Sequence, residues 1–282
     1  ILGIGLNSQK HIGQRSMVGD ISLNGSGASG TRISGLHMQR LLIANSVGPY
    51  TISNILLENS QVVNIIGPVF TNTLSNLIVR NCIFNSANVS GEPQAFELYT
   101  TSGVIITNNI IQGGCCIHGA IWGDGITITN NLFYYNQTGY AFQNLHNSLI
   151  QNNIFYGTSP EINSASSGGN TLSHNLVFSS SDDNFTDGNN GNADAGGNIV
   201  ADPQLANLPF VTTDWNYSYD ITLGGTSPAL GAGSDGTDIG PSGGATPFDP
   251  EGTFLPLIQE INMPAVVTQG TDLEVNIKAK GN

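Results

Sequence analysis

Paired asparagines set in apolar sequence return along this chain at a fixed interval. The clearest copies are NLIVRNCIFN at 76–85, GVIITNNIIQ at 103–112, GITITNNLFYYN at 125–136, SLIQNNIFYG at 148–157 and TLSHNLVFSS at 171–180, with a fainter NILLENSQVV at 54–63. The second residue of each pair sets the register: Ser60, Cys82, Asn109, Asn131, Asn153 and Asn175, in steps of 22, 27, 22, 22 and 22 residues. A period of this size means stacked supersecondary units. Ahead of the pairs, apolar residues alternate, as in Val104 and Ile106 or Ile126 and Ile128, and no window carries a helical stripe. Alternation of this kind marks strands. The chain is therefore expected to be all-β, a parallel β-helix in which short strands separated by Gly, Asn and Ser corners repeat every turn.

Turns of such a stack lie about 4.8 Å apart, so equivalent residues form columns. A side-chain amide in a column donates to one neighbour and accepts from the other, which keeps a buried polar group satisfied. Asn109, Asn131, Asn153 and Asn175 are predicted to form this ladder, with Cys82 and Ser60 extending its column.

A solenoid core grows by stacking, so 282 residues need not divide into compact domains. Residues 1–200 read as the β-helix, with 1–30 its irregular first turns and the N-terminus taken as truncated; 201–252 read as a closing tail and 253–282 as C-terminal strands packed on or extending the helix. In 272–280, Leu273, Val275, Ile277 and Ala279 alternate with polar residues, the pattern of a half-buried strand whose lysines guard its edge. The net charge of −13 argues against nucleic acid and anionic membrane surfaces. No apolar run is long enough to cross a membrane. Three cysteines, Cys82, Cys115 and Cys116, give no disulfide framework.

The stacked N-N-x-[IF] turns, followed by GNIVADPQL at 197–205, TSPALGAG at 226–233 and TDIGP at 237–241, resemble the right-handed parallel β-helix proteins of the pectate-lyase-like superfamily. The nearest flavour is the secreted or surface-attached proteins of Bacteroidetes-type bacteria that close with a similar "DP…SPA…DIG" tail. The resemblance covers nearly the whole chain. It implies a right-handed helix, an irregular C-terminal capping tail and an extracellular or cell-surface location. It does not select an activity, because the superfamily includes polysaccharide lyases, hydrolases, epimerases and members with no known catalysis.

Lyases of the superfamily use a basic residue, usually Arg or Lys, to take a proton, often with calcium to neutralise the substrate carboxylate. Here the basic residues are Lys10, Arg15, Arg32, Arg40, Arg80, Lys278 and Lys280, and none falls between 81 and 277. Arg80 follows Glu58 by 22 residues and is read as its ion-pair partner on the next turn. Arg15, Arg32 and Arg40 remain as basic candidates in the first turns. Glycoside hydrolysis needs two carboxylates on one face, whereas the neighbours Asp182 and Asp183 would point to opposite sides of a strand. The epimerase motif Asp-Pro-His-Glu meets only Asp202-Pro203-Gln204-Leu205.

Ser102, Asp124 and His146 are spaced by 22, but the acid lies in the middle, the wrong order for a triad; an Asp124–His146 hydrogen bond between turns is expected instead. Thr127 and Thr129 have Ile105/Thr107 and Leu149/Gln151 as stack neighbours, so no threonine array forms. Asp182, Asp183 and Asp187 offer carboxylates for calcium, the one cofactor suggested, but lack the D-x-D-x-D-G spacing of a calcium loop, and a solvated loop is the simpler reading.

The most promising surface joins QAFELYTTSG, CIHGAIWGDG and GYAFQNLHNS. A constant 22-residue step stacks Phe96, His118 and Tyr140, sets Tyr99 beside Ile121 and Gln143, and places Trp122 level with Thr100 and Asn144. Tyr99, His118, Trp122 and Tyr140 are the candidate ligand-binding residues, and Glu97 and His118 the candidate catalytic ones; the structural alternative makes Phe96, Leu98, Tyr140 and Phe142 core. The sequence points first to an extracellular bacterial module that binds polysaccharide or another surface ligand, its partner a polysaccharide or another surface protein, without an identifiable catalytic constellation. The alternatives are a polysaccharide lyase or glycoside hydrolase, and a structural or adhesive subunit of a cell-surface assembly.

Overall fold

A computed structural model describes residues 16–69, 71–85, 95–112, 121–134, 140–163, 168–179, 185, 191–209, 215–249, 257–262 and 276–280. Parallel strands stack turn upon turn. Thr127 pairs with Ile105 below and Leu149 above, and Leu149 in turn with Thr171. After the asparagine corner, Leu132 pairs with Ile110 and Ile154, and Ile154 with Leu176. The 27-residue step also survives, as Ile83 pairs with Ile110. The expected parallel β-solenoid is the fold.

The paired asparagines divide the labour at each corner. The first member takes left-handed backbone: φ is 52° at Asn81, 53° at Asn108, 54° at Asn130 and 58° at Asn152, and His174 replaces it at 51°. Asparagine tolerates this region better than most side chains. The second member points inward and builds the ladder. Asn131 Oδ1 accepts from both the backbone N–H and the side-chain Nδ2 of Asn109, at 2.9 and 3.0 Å. The same pair of hydrogen bonds links Asn131 to Asn153 and Asn153 to Asn175. The column begins as predicted: the Cys82 N–H donates to Asn109 Oδ1, and Ser60 Oγ accepts from the Leu36 N–H. It also runs one residue further than predicted, to Asn198.

A second, shorter ladder sits at the corner before the strands Ile126–Thr129 and Leu149–Gln151. Ser148 Oγ accepts from the Ile126 N–H, Asn170 Oδ1 from the Ser148 N–H, and Asn192 Oδ1 from Asn170.

The solenoid interior holds Phe84, Phe96, Phe133, Phe142 and Phe155 among aliphatic residues. Phe133 and Phe155 stack one turn apart, with ring centroids 5.0 Å apart and planes at 11°. Cys82 is fully buried here, and loss of solvation pushes its thiol pKa up to about 12. Only the thiolate reacts rapidly, so iodoacetamide at mildly alkaline pH should leave Cys82 unmodified until the protein is denatured. Peptide mass mapping, which separates it from Cys115 and Cys116, checks this; native alkylation at Cys82 would contradict its burial.

A second hydrophobic cluster lies on the outside of the stack. Ile83, Ile110, Leu132, Ile154 and Leu176 face outward, and the C-terminal tail covers them with Leu208, Trp215, Ala229, Ile239 and Phe248. Residues in this row are buried although they face away from the solenoid core. The strands Leu132–Tyr134 and Ile154–Tyr156 are accordingly buried at every position. Polar contacts fix the tail: Tyr134 Oη donates to the Pro209 carbonyl at 2.6 Å, and the Gly240 N–H to the Asn152 carbonyl at 2.7 Å. The approach is close enough to need glycine. A Cβ on Gly240, at φ +95°, would lie 2.4 Å from Ile154 Cδ1, and one on Gly243 would lie 2.8 Å from Asn130 Nδ2.

Two antiparallel pairs complete the architecture, Leu205–Asn207 with Asp220–Leu223 and Leu257–Asn262 with Asn276–Lys280. The last strand occupies the second half of the alternating 272–280 segment; its first half lies outside the described residues. Among the described residues, no helix is long and apolar enough to cross a membrane.

Candidate ligand-binding face

Strands Phe96–Leu98, Ile121–Asp124 and Tyr140–His146 lie side by side in parallel. Alternation decides which side chains leave the core. Phe96, Leu98, Ile121, Phe142 and Leu145 are buried inside, whereas Glu97, Trp122 and Gln143 are half-buried on the outer surface.

The register differs from the constant 22-residue step. Ile121 pairs with Phe96, Trp122 with Glu97, and Gly123 with Leu98. Three residues of slip is an odd number, so it exchanges inward and outward positions. Trp122 therefore stands beside Glu97 and not level with Thr100, and Ile121 joins the Phe96 column in place of His118. The cause is local: residues 99–103 join Leu98 to Val104, whereas only 124–125 join Gly123 to Ile126, so the 22-residue step holds again from Val104 and Ile126. Gly123 permits the fit, since a Cβ there would meet Ile126 Cδ1 at 2.4 Å and the Leu98 carbonyl oxygen at 2.9 Å.

On the other side Ile121 pairs with Phe142 and Gly123 with Leu145, so Gln143 and Asn144 together oppose Trp122. This is a β-bulge, with Asn144 at φ 49°. Bulges re-aim side chains, and this one delivers Gln143 Oε1 to the indole Nε1–H of Trp122 at 3.2 Å. Thr100 takes φ 45° just after Tyr99. The Tyr99 ring, 45% exposed, meets Trp122 edge-on, with centroids 6.2 Å apart and planes at 74°. Loss of solvation, and then the nearby Glu97 charge, raise the Tyr99 pKa, which keeps the phenol a neutral donor. Two aromatic rings, a carboxylate and an amide thus share one outer patch.

Of the predicted site residues, Glu97, Tyr99 and Trp122 come together here. His118 and the side chain of Tyr140 lie outside the described residues, as do Arg15, Asp182, Asp183, Asp187, Cys115 and Cys116. Arg40 donates through Nε to Asp20 at 3.0 Å, a contact that holds the Asp20 carboxyl below its usual range. Arg32 and Arg80 both bond to Glu58, so the expected Arg80–Glu58 pair exists and includes a third member.

Asp124 and His146 are paired in register, but the expected hydrogen bond between them is not made. Asp124 Oδ1 accepts from Asn147 Nδ2 at 2.9 Å instead, because the Asn147 amide at the following corner reaches the carboxylate first. No group of three His, Cys, Asp or Glu side chains able to hold a metal gathers among the described residues.

No protein-family model matches the chain, and no curated protein matches it either. The functional reading therefore rests on the patch itself. Flat aromatic rings offer an apolar face with a polar edge, suited to the CH-rich face of a sugar ring, while Glu97 and Gln143 offer polar partners for hydroxyls.

Proposed function

We propose that the chain is an extracellular bacterial β-helix module, related to the right-handed pectate-lyase-like superfamily, that binds polysaccharide on its outer surface. The observation that carries this reading is the Tyr99–Trp122 pair flanked by Glu97 and Gln143 on the outer surface of the sheet, with Tyr99 exposed and the other three half-buried. Backbone pairing fixes each strand beneath the patch, so little order has to be imposed when a ligand arrives. Binding without chemistry is the preferred form, since the first-turn arginines Arg32 and Arg40 are engaged with carboxylates.

The test is retention and titration calorimetry against a panel of neutral and acidic polysaccharides. Trp122→Ala should weaken binding to the retained glycan by about tenfold or more, ~1.4 kcal/mol, while Trp122→Phe keeps most of it. Since Trp122 lies outside the core, thermal stability should hardly change. A panel that yields no bound glycan, or binding indifferent to Trp122→Ala, would remove this reading. Release of unsaturated sugars or new reducing ends in the same panel would replace it with the enzymatic alternative.

A further inference from the structure

Along one corner of the stack, the first asparagine of each pair gives its side chain to the tail. Asn152 exchanges hydrogen bonds with Ser234, its Oδ1 accepting from the Ser234 N–H at 2.9 Å. Asn130 Nδ2 donates to the carbonyls of Asp238 and Gly240. Asn108 Nδ2 donates to those of Pro241 and Gly243, at 3.0 and 2.7 Å.

Asp238 and Ser242, on this tethered segment, line a cleft of ≈ 390 Å³ together with Trp215, Tyr219, Asp220 and Phe248. A cleft of this size accommodates a small ligand. Its apolar surface is largely aromatic. Trp215 and Tyr219 stand at right angles, with ring centroids 5.3 Å apart, and Phe248 adds a third ring. Rings of this kind offer flat apolar faces to the CH groups of a ligand.

The polar groups of the cleft are of both kinds. Trp215 is 8% exposed, and its indole N–H has no acceptor among the described residues. Buried donors are ordinarily paired, so this one leaves a place for an acceptor from outside the chain. Asp220 and Asp238 supply acceptors. Each spends one oxygen on a backbone N–H: Asp220 Oδ1 accepts from Thr222 and Asp238 Oδ1 from Gly231, both at 2.9 Å. The second oxygen of Asp238 meets the Ser242 hydroxyl at a long 3.5 Å. A carboxylate has about four lone-pair sites, so both keep room for further donors. Hydrogen bonding from Thr222 holds the Asp220 carboxyl below its usual range, and it stays ionised at neutral pH. No lysine or arginine lies between 81 and 277 to neutralise this pair from nearby sequence.

Hydroxyl groups answer both needs, since each can accept from the indole N–H and donate to a carboxylate. An acidic ligand would instead bring like charge to Asp220 and Asp238. We propose that this cleft is a second binding site, for one sugar ring without acidic groups. The CH face of the sugar lies against the aromatic rings, and its hydroxyls bridge the indole N–H and the two aspartates. The site shares no residue with the Tyr99–Trp122 face and stands whether or not that face binds glycan.

The chain has two tryptophans, so Trp122→Ala disables the other face and leaves Trp215 as the sole indole reporter. This variant is titrated with glucose, galactose and glucosamine, and with glucuronate and galacturonate. At least one of the three non-acidic sugars should change Trp215 fluorescence saturably, and the matching uronate should bind more weakly by about tenfold or more. Ser242→Phe brings a bulky ring to the cleft from an exposed position. It should weaken binding by about tenfold with the melting temperature unchanged, and Asp220→Ala should weaken it as well. No saturable response to any non-acidic sugar, a uronate bound as tightly as its parent sugar, or full affinity in both variants would each overturn the proposal.

Discussion

Replacing Asn131 with alanine should lower the stability of the folded chain by about 3–5 kcal/mol, a value built from several buried polar groups at ~1–3 kcal/mol each. The side chain is fully buried. Its Oδ1 satisfies the backbone N–H and the Nδ2 of Asn109, and its Nδ2 donates to the carbonyls of Ile106 and Thr129 and to Asn153. Alanine removes all of these at once, in a place where water cannot substitute. Asn198 provides the control, because it ends the same ladder and is only half-buried. Asn198→Ala should cost about 1 kcal/mol. Urea denaturation followed by circular dichroism compares the two. Equal midpoint shifts would mean that the column adds nothing beyond ordinary corner hydrogen bonds.

The second large effect is expected at Ile239, which is fully buried in the cluster between tail and stack. Ile239→Asp places an unpaired carboxylate in an apolar seam, which costs about 3–5 kcal/mol if the seam stays closed. The tail has another course: it can lift away, and the loss is then capped at the free energy that docks it. Lifting would bare Ile110, Leu132, Ile154 and Leu176. Limited proteolysis should therefore cut the tail of the variant first, and an apolar dye should bind, while the far-ultraviolet signature of the stack persists. A tail as resistant as that of the parent chain would show that this seam does not hold it.

The spacing of the asparagine pairs carries the stack plainly, because a corner repeated on every turn leaves the same residue at the same interval. Asn198 escapes that reading for a simple reason: it follows Asn175 by 23 residues, not 22. The covering of the outer face leaves a subtler mark. In Leu132-Phe133-Tyr134 and Ile154-Phe155-Tyr156 the apolar residues run on without alternating, the pattern of a strand buried on both sides. What those outward residues meet is not written locally, since their partners, such as Trp215 and Ile239, lie far along the chain. The candidate face shows the opposite difficulty. Its residue types, Glu97, Tyr99 and Trp122, stand out in the sequence, but their arrangement depends on a register that residues 99–103 and the bulge at Gln143 and Asn144 reset. A constant step carries the corners faithfully and the strand beyond them poorly.

The tail has a consequence for how the molecule comes apart. A bare solenoid behaves as a one-dimensional array in which each turn contacts only its neighbours, and it can unzip from either end. Here Asn108, Asn130 and Asn152, on three successive turns, are all tied to one segment between Ser234 and Gly243. No turn in that group can open without either breaking its ties or releasing the segment from the others. The middle of the stack is thereby converted from a row of separable units into one cooperative block. Amide hydrogens across that block are expected to exchange together, at a common opening free energy, while those of the first described strand, Ser16–Leu23, exchange on their own.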